Sequence, residues 1–179
     1  MPTRPRIYVE ATCLIDAAKV DIKGAGTMQA YPAIRHQDVW VIQQVLRAAR
    51  AKDLEAFTSS LSIAECSHIG EKPPEAKVKQ LFESVLLSGQ CLKLVESDIF
   101  VCQDARDLTW DHGLSLKGAD AIHVASARSA NCGEFLTTDD GILKRRDAIK
   151  AAVDLAVLRP SETQLLPDEY RQGQLLPNA

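Results

Sequence analysis

The chain has 179 residues, 46% of them hydrophobic and 25% charged, and a net charge of −3. That length suits one domain with a sizeable core, and the balance is that of a globular chain, which excludes a disordered or fibrous protein. No apolar run nears the roughly 18 residues of a membrane span, and a mildly acidic chain has no global basic field to attract bulk nucleic acid.

Ile7 to Val9 reads as a short buried strand, with Cys13 to Lys19 as the helical turn that follows. From Val20 to Asp38 the apolar period fails around Gly24, Gly26 and Pro32, which predicts a long loop of the kind used as a lid or partner surface. Val39, Ile42, Val45, Leu46 and Ala49 then recur at helical spacing. Leu54 to Thr58 is strand-like, and Ser60 or Ser62 can cap a helix carrying Glu65. After Pro73-Pro74 comes a helix from about Glu75 to Ser88, an edge strand at Cys91 to Val95, and a helix capped by Ser97 that stops at Gly113. A further helix spans Leu116 to Ala130, followed by a strand at Phe135 to Thr137, a helix from Ile142 to Ile149 with a basic face, and a last strand at Leu155 to Leu158.

Short strands alternating with helices predict a parallel sheet covered on both faces, with ligands beyond the carboxyl ends of the strands. Five cysteines without a C-x-x-C pair read as reduced thiols. Together with a start at Met1 that lacks a signal peptide's apolar stretch, they lead to the expectation of a cytoplasmic protein.

Four carboxylates, Glu10, Glu65, Asp120 and Asp139, stand at the ends of such elements. Three of them have a structural explanation of their own. Glu65 lies at capping-box spacing from Ser62, Asp120 suits the positive end of a helix dipole, and Asp139-Asp140-Gly141 is an ordinary turn sequence. Glu10 is the exception, because a carboxylate between two apolar runs needs a cation or a donor. Brought together, the four would repel one another and a phosphate unless a divalent ion neutralised them. His123 reads as a packing or hydrogen-bonding residue, because the four histidines form no ligand cluster. No hydrolase triad or glycine-rich phosphate loop is visible.

The segments Tyr8-Val9-Glu10-Ala11-Thr12-Cys13-Leu14-Ile15, Ser59 to Glu65, Asp120 to Ala127, and Phe135-Leu136-Thr137-Thr138-Asp139 occur in an order that resembles the PIN-domain family, in particular the VapC-type toxin ribonucleases. The resemblance spans Ile7 to Leu158. It implies a three-layer α/β/α sandwich around a central parallel sheet of four or five strands. The domain would occupy residues 1–160, with a loop insertion at about 20–38 and a C-terminal tail at 161–179. At the first motif the chain has Glu10 and Thr12, where the family usually has aspartate and then asparagine or serine.

The resemblance further implies a metal-dependent endoribonuclease, the toxin of a toxin–antitoxin pair. Glu10, Glu65, Asp120 and Asp139 would hold Mg²⁺ or Mn²⁺, and Thr12 and Thr137 would complete the catalytic group, with Thr137 orienting Asp139. Lys117, Lys144 and Arg145 are the expected phosphate contacts. Expected partners are the RNA substrate, an antitoxin that inserts an arginine between the carboxylates, and a second copy of the chain. The competing readings are a PIN-like module that binds RNA or protein without turnover, and phosphoryl transfer on small molecules. The last is disfavoured because no Asp-x-Asp-x-Thr motif is present.

Overall fold

The computed structural model describes residues 4–23, 33–68 and 73–172. Five strands, β1 (Arg6–Val9), β2 (Glu55–Ser59), β3 (Leu92–Val95), β4 (Glu134–Leu136) and β5 (Ala156–Leu158), form one all-parallel sheet in the order β3-β2-β1-β4-β5. Strand β1 is therefore central, with Tyr8 beside Phe57 of β2 and Phe135 of β4. Helices connect the strands: α1 (Ala11–Lys23) and α2 (Ala33–Ala51), then α3 (Leu61–Glu65) and α4 (Ala76–Leu86), then α5 (Ile99–Trp110) and α6 (Gly118–Ser129), then α7 (Asp140–Leu143) and α8 (Arg146–Val153).

Successive side chains of a strand point to opposite faces, so one strand feeds two cores. Ile7 and Val9 pack with Leu14, Val41, Ile42, Val45, Val78 and Phe82 on the side of α1, α2 and α4. Tyr8 and Phe135 pack with Leu108, Val124, Ile149 and Leu155 on the other side, among α5, α6 and α8. The Tyr8 and Phe135 rings stack at 5.0 Å. This is the three-layer α/β/α arrangement, with β3 at one edge as the weak alternation of residues 91–95 predicts.

Several boundaries differ from the sequence reading. The predicted loop is narrower at both ends: α1 runs to Lys23, because nothing stops it before Gly24, and α2 begins at Ala33, directly after Pro32. Residues 24–32 lie outside the described segments. The cap of α5 is Asp98, whose carboxylate accepts the Val101 amide at 2.9 Å, while the Ser97 hydroxyl is engaged with Ser59 and Ser60. The single helix predicted for Ile142 to Ile149 is two, α7 and α8.

The C-terminal segment folds back onto the domain up to Arg171. A 3₁₀ turn (Pro160–Glu162) and helix α9 (Asp168–Arg171) lie against α2, Leu166 is buried, and the Tyr170 hydroxyl donates to Asp53 at 2.6 Å. Glu134, 4% exposed, accepts the Gln164 amide at 2.8 Å and the Thr163 hydroxyl. The segment named as a tail at 161–179 is therefore packed against the domain as far as Arg171.

Phe135 is fully buried against Tyr8 between the sheet and α6. Phe135→Ala should lower unfolding free energy by about 3–5 kcal/mol, from lost transfer energy and the cavity left behind, measurable by urea denaturation.

Candidate active site

The chain leaves β1 toward β2 and β3, then returns across β1 to β4, so connections diverge at the carboxyl ends of β1 and β4. Open parallel sheets leave a crevice there. Glu10 directly follows β1, while Thr137, Thr138 and Asp139 directly follow β4. Glu65 ends α3 just beyond β2, and Asp120 stands in the first turn of α6.

Glu10 is 4% exposed. One oxygen accepts the Thr12 amide at 3.1 Å, and the other accepts the hydroxyls of Thr12 and, at 3.0 Å, Thr137. Burial raises its pKa; the hydrogen bonds from the Thr12 hydroxyl, the Thr12 amide and the Thr137 hydroxyl oppose that. Thr137 thus orients Glu10. Toward Asp139 its hydroxyl makes only a backbone bond, accepting the amide at 3.0 Å. The side chain of Asp139 is held instead as the N-cap of α7, with one oxygen accepting the amides of Gly141 at 2.6 Å and Ile142 at 3.1 Å. The turn expected at Asp139-Asp140-Gly141 is therefore real, and it leaves the other Asp139 oxygen outside the cap.

Glu65 does not form a capping box. The N-cap of α3 is Ser60, without a side-chain cap bond, and Ser62 is bonded to Thr58 at 2.7 Å. The Glu65 carboxylate lies instead 2.7 Å from Nε2 of His123. Burial raises the pKa of Asp120, and the neighbouring Asp139 charge raises it further against the Lys117 charge. Two carboxylates that repel across a crevice are what a cation would relieve. Cys66, next to Glu65, is a neutral thiol whose pKa burial pushes up to about 12.

Among the described residues, Glu10, Glu65 and His123 bring ligand atoms within 4.8 Å of one another. These two carboxylates, with the Asp120–Asp139 pair near His123, are a donor set that fits a divalent cation. An imidazole beside them is a feature the sequence reading left out of the ligand group. Of the expected phosphate contacts, Lys117 is exposed at the start of α6 beside Asp120, and Lys144 is exposed near Arg146 and Arg159. Arg145 turns back to the Gly141 carbonyl at 2.6 Å, a structural bond that closes α7.

Behind Glu10 lies a network without a sequence-level candidate. Asp16, 6% exposed, accepts from the Thr138 hydroxyl at 3.0 Å and pairs with Arg35 at 3.1 Å and Lys19 at 3.3 Å. Thr138 also bonds Thr12 at 3.1 Å. The available signal was Asp16 one helical turn beyond Thr12, on the same face of α1.

Residues 39–149 match the family model described as PIN domain. That segment contains Glu65, Asp120 and Asp139, and Glu10 lies outside it. Among solved structures, the VapBC2 complex of Rickettsia felis bound to a fragment of promoter DNA has a chain similar at TM-score 0.52 and 15% identity, covering 86% of this chain and 98% of that one. A chain of FitAcB from Neisseria gonorrhoeae gives 0.48 at 17% identity, covering 88% and 99%. The Rickettsia chain shares the fold. No curated protein matches the sequence.

The raised pKa values fix a sign. Metal-free, Glu10 and Asp120 favour folding below the ordinary carboxylate range, and that contribution is lost as pH rises through their raised values. Saturating Mn²⁺ should therefore raise the melting temperature more at neutral pH than at about pH 5, as scanning calorimetry at both pH values would measure; equal increments would be inconsistent with a cation at these carboxylates.

Proposed function

The chain belongs to the PIN domain family, whose members are generally nucleases, and from that premise we propose that it is a metal-dependent endoribonuclease, the toxin of a toxin–antitoxin pair. The observation that carries the reading is the convergence of Glu10 and Glu65 at the end of the central strand, with Asp120 and Asp139 close enough to repel.

Glu10, Glu65, Asp120 and the free oxygen of Asp139 would hold Mg²⁺ or Mn²⁺. A divalent ion bound there supplies activation of water and stabilises the charge that builds on the phosphate in the transition state. The chain's own contribution is preorganisation. Thr12 and Thr137 fix Glu10 so that it need not reorient, the α7 amides fix Asp139, and Lys117 offers a positive charge at the rim for the RNA backbone. Glutamate in place of the usual aspartate extends Glu10 by one methylene, and the two threonine hydroxyls hold that longer side chain back against the sheet.

The same reading includes an antitoxin that covers the acidic crevice, with an arginine suited to the carboxylates, and a homodimer. It also places the protein in the cytoplasm; no described helix is long and apolar enough to cross a membrane. The nuclease domain then extends through the C-terminal segment at least to Arg171, because that segment completes the core. The antitoxin is supported by the neighbouring fold, whose structure is a VapBC complex.

One observation favours a second reading, a module that binds without turnover: both oxygens of Glu10 already have protein donors. Calorimetric titration with Mn²⁺ separates the two, because a binding module has no need of the ion.

Purified protein should cleave RNA in Mn²⁺ or Mg²⁺. Asp120→Asn should reduce the rate by about a hundredfold or more, since several kcal/mol of charge stabilisation depend on the site. Undiminished cleavage by that variant, in a gel assay on the same RNA, would count against the site.

A further inference from the structure

Glu65 is weakly anchored within its own helix. It ends a five-residue helix without a side-chain cap, and its side chain is 30% exposed. Its one hydrogen-bond partner among the described residues is His123, at 2.7 Å from Nε2. His123 is the opposite: 1% exposed, in the middle of the twelve-residue helix α6, with Nδ1 2.7 Å from the Tyr8 hydroxyl. Tyr8 is itself fully buried in the central strand, and its ring meets the imidazole edge-on at 5.9 Å.

The proton arrangement follows from the partners. A carboxylate only accepts, so Nε2 must carry hydrogen to bond Glu65. In a neutral ring Nδ1 is then the acceptor, and the Tyr8 hydroxyl donates to it. A ring held this way turns no lone pair toward the crevice. We propose that His123 is a positioning residue: Tyr8 selects its Nε2–H tautomer, and that N–H holds Glu65 in place as a metal ligand. The proposal rests on the metal-site reading above and deepens it. It also separates His123 from the ligand set that its proximity to Glu10 and Glu65 would suggest.

The arrangement reverses the usual order of such sites, in which a carboxylate outside the ligand set orients a ligating histidine. Here the imidazole is the outer group and the carboxylate is the ligand. The chain Tyr8–His123–Glu65 fixes an exposed helix end against a fully packed strand, linking elements 58 and 115 residues apart.

Mn²⁺ titration of the metal-free protein and its variants tests this. His123→Ala should weaken Mn²⁺ binding about 10- to 100-fold, the usual effect of losing an outer-shell partner. His123→Gln, whose amide N–H₂ can reach Glu65, should recover most of that loss, and Tyr8→Phe should show a smaller loss. In a Glu65→Gln background, His123→Ala should cost little more. Nitrogen-15 NMR of the metal-free wild type should find Nε2 protonated and Nδ1 bare. Unchanged affinity in His123→Ala, no recovery in His123→Gln, an Nδ1–H or doubly protonated ring, or imidazole nitrogen coupling in the spectrum of bound Mn²⁺ would each overturn the proposal while leaving the metal site standing. A wild type that binds no Mn²⁺ would overturn the metal-site reading first, and this proposal with it.

Discussion

The placement of one four-residue strand constrains everything else. Strand β1 is hydrogen-bonded on both edges and packed on both faces, so Ile7, Tyr8 and Val9 have no freedom to shift register. Ile7 and Val9 belong to one core and Tyr8 to the other. The residue after it, Glu10, is then delivered to a buried strand end where its charge must be answered. Thr12 answers it from α1 and Thr137 from the end of β4, so the acid is tied to both elements that diverge from the crevice. A slip of one residue would put Tyr8 against α1 and turn Glu10 into the sheet.

The fold was legible because a buried parallel sheet writes itself as short apolar runs, and Ile7 to Val9, Leu54 to Thr58, Phe135 to Thr137 and Leu155 to Leu158 are all found close to where those runs predict them. Helix ends were less legible. Asp98 and Ser97 are both good caps by residue type, and the choice was made by tertiary contacts, since Ser97 is occupied by Ser59 and Ser60. The packing of the C-terminal segment was not legible for a related reason: its burial depends on α2 and Glu134, far away in sequence, and no local period records that.

In the site, residue identity was easier to read than role. The capping spacing of Ser62 and Glu65 is present in the sequence, but Ser62 is held by Thr58 beneath it and Glu65 turns to His123. The family resemblance implied that Thr137 orients Asp139, whereas its hydroxyl donates to Glu10, 127 residues earlier. Asp139 caps α7 through one oxygen, which leaves its second oxygen outside the cap and available to the proposed site. The Thr137–Glu10 and Glu65–His123 bonds join residues 127 and 58 positions apart, and a single sequence carries no periodicity that would pair them.

That separation bears on how the protein comes into being. The acids at residues 10, 65, 120 and 139 arrive in order as the chain is made, and Glu10 stays without its Thr137 partner until β4 has been synthesised. The segment that completes the core through Leu166 follows later still. Long-range parallel pairing is slow to form, and domains of this size emerge from the ribosome over many seconds. A nascent chain therefore carries most of its length before the proposed site can assemble, an interval of latency that the order of strands alone provides.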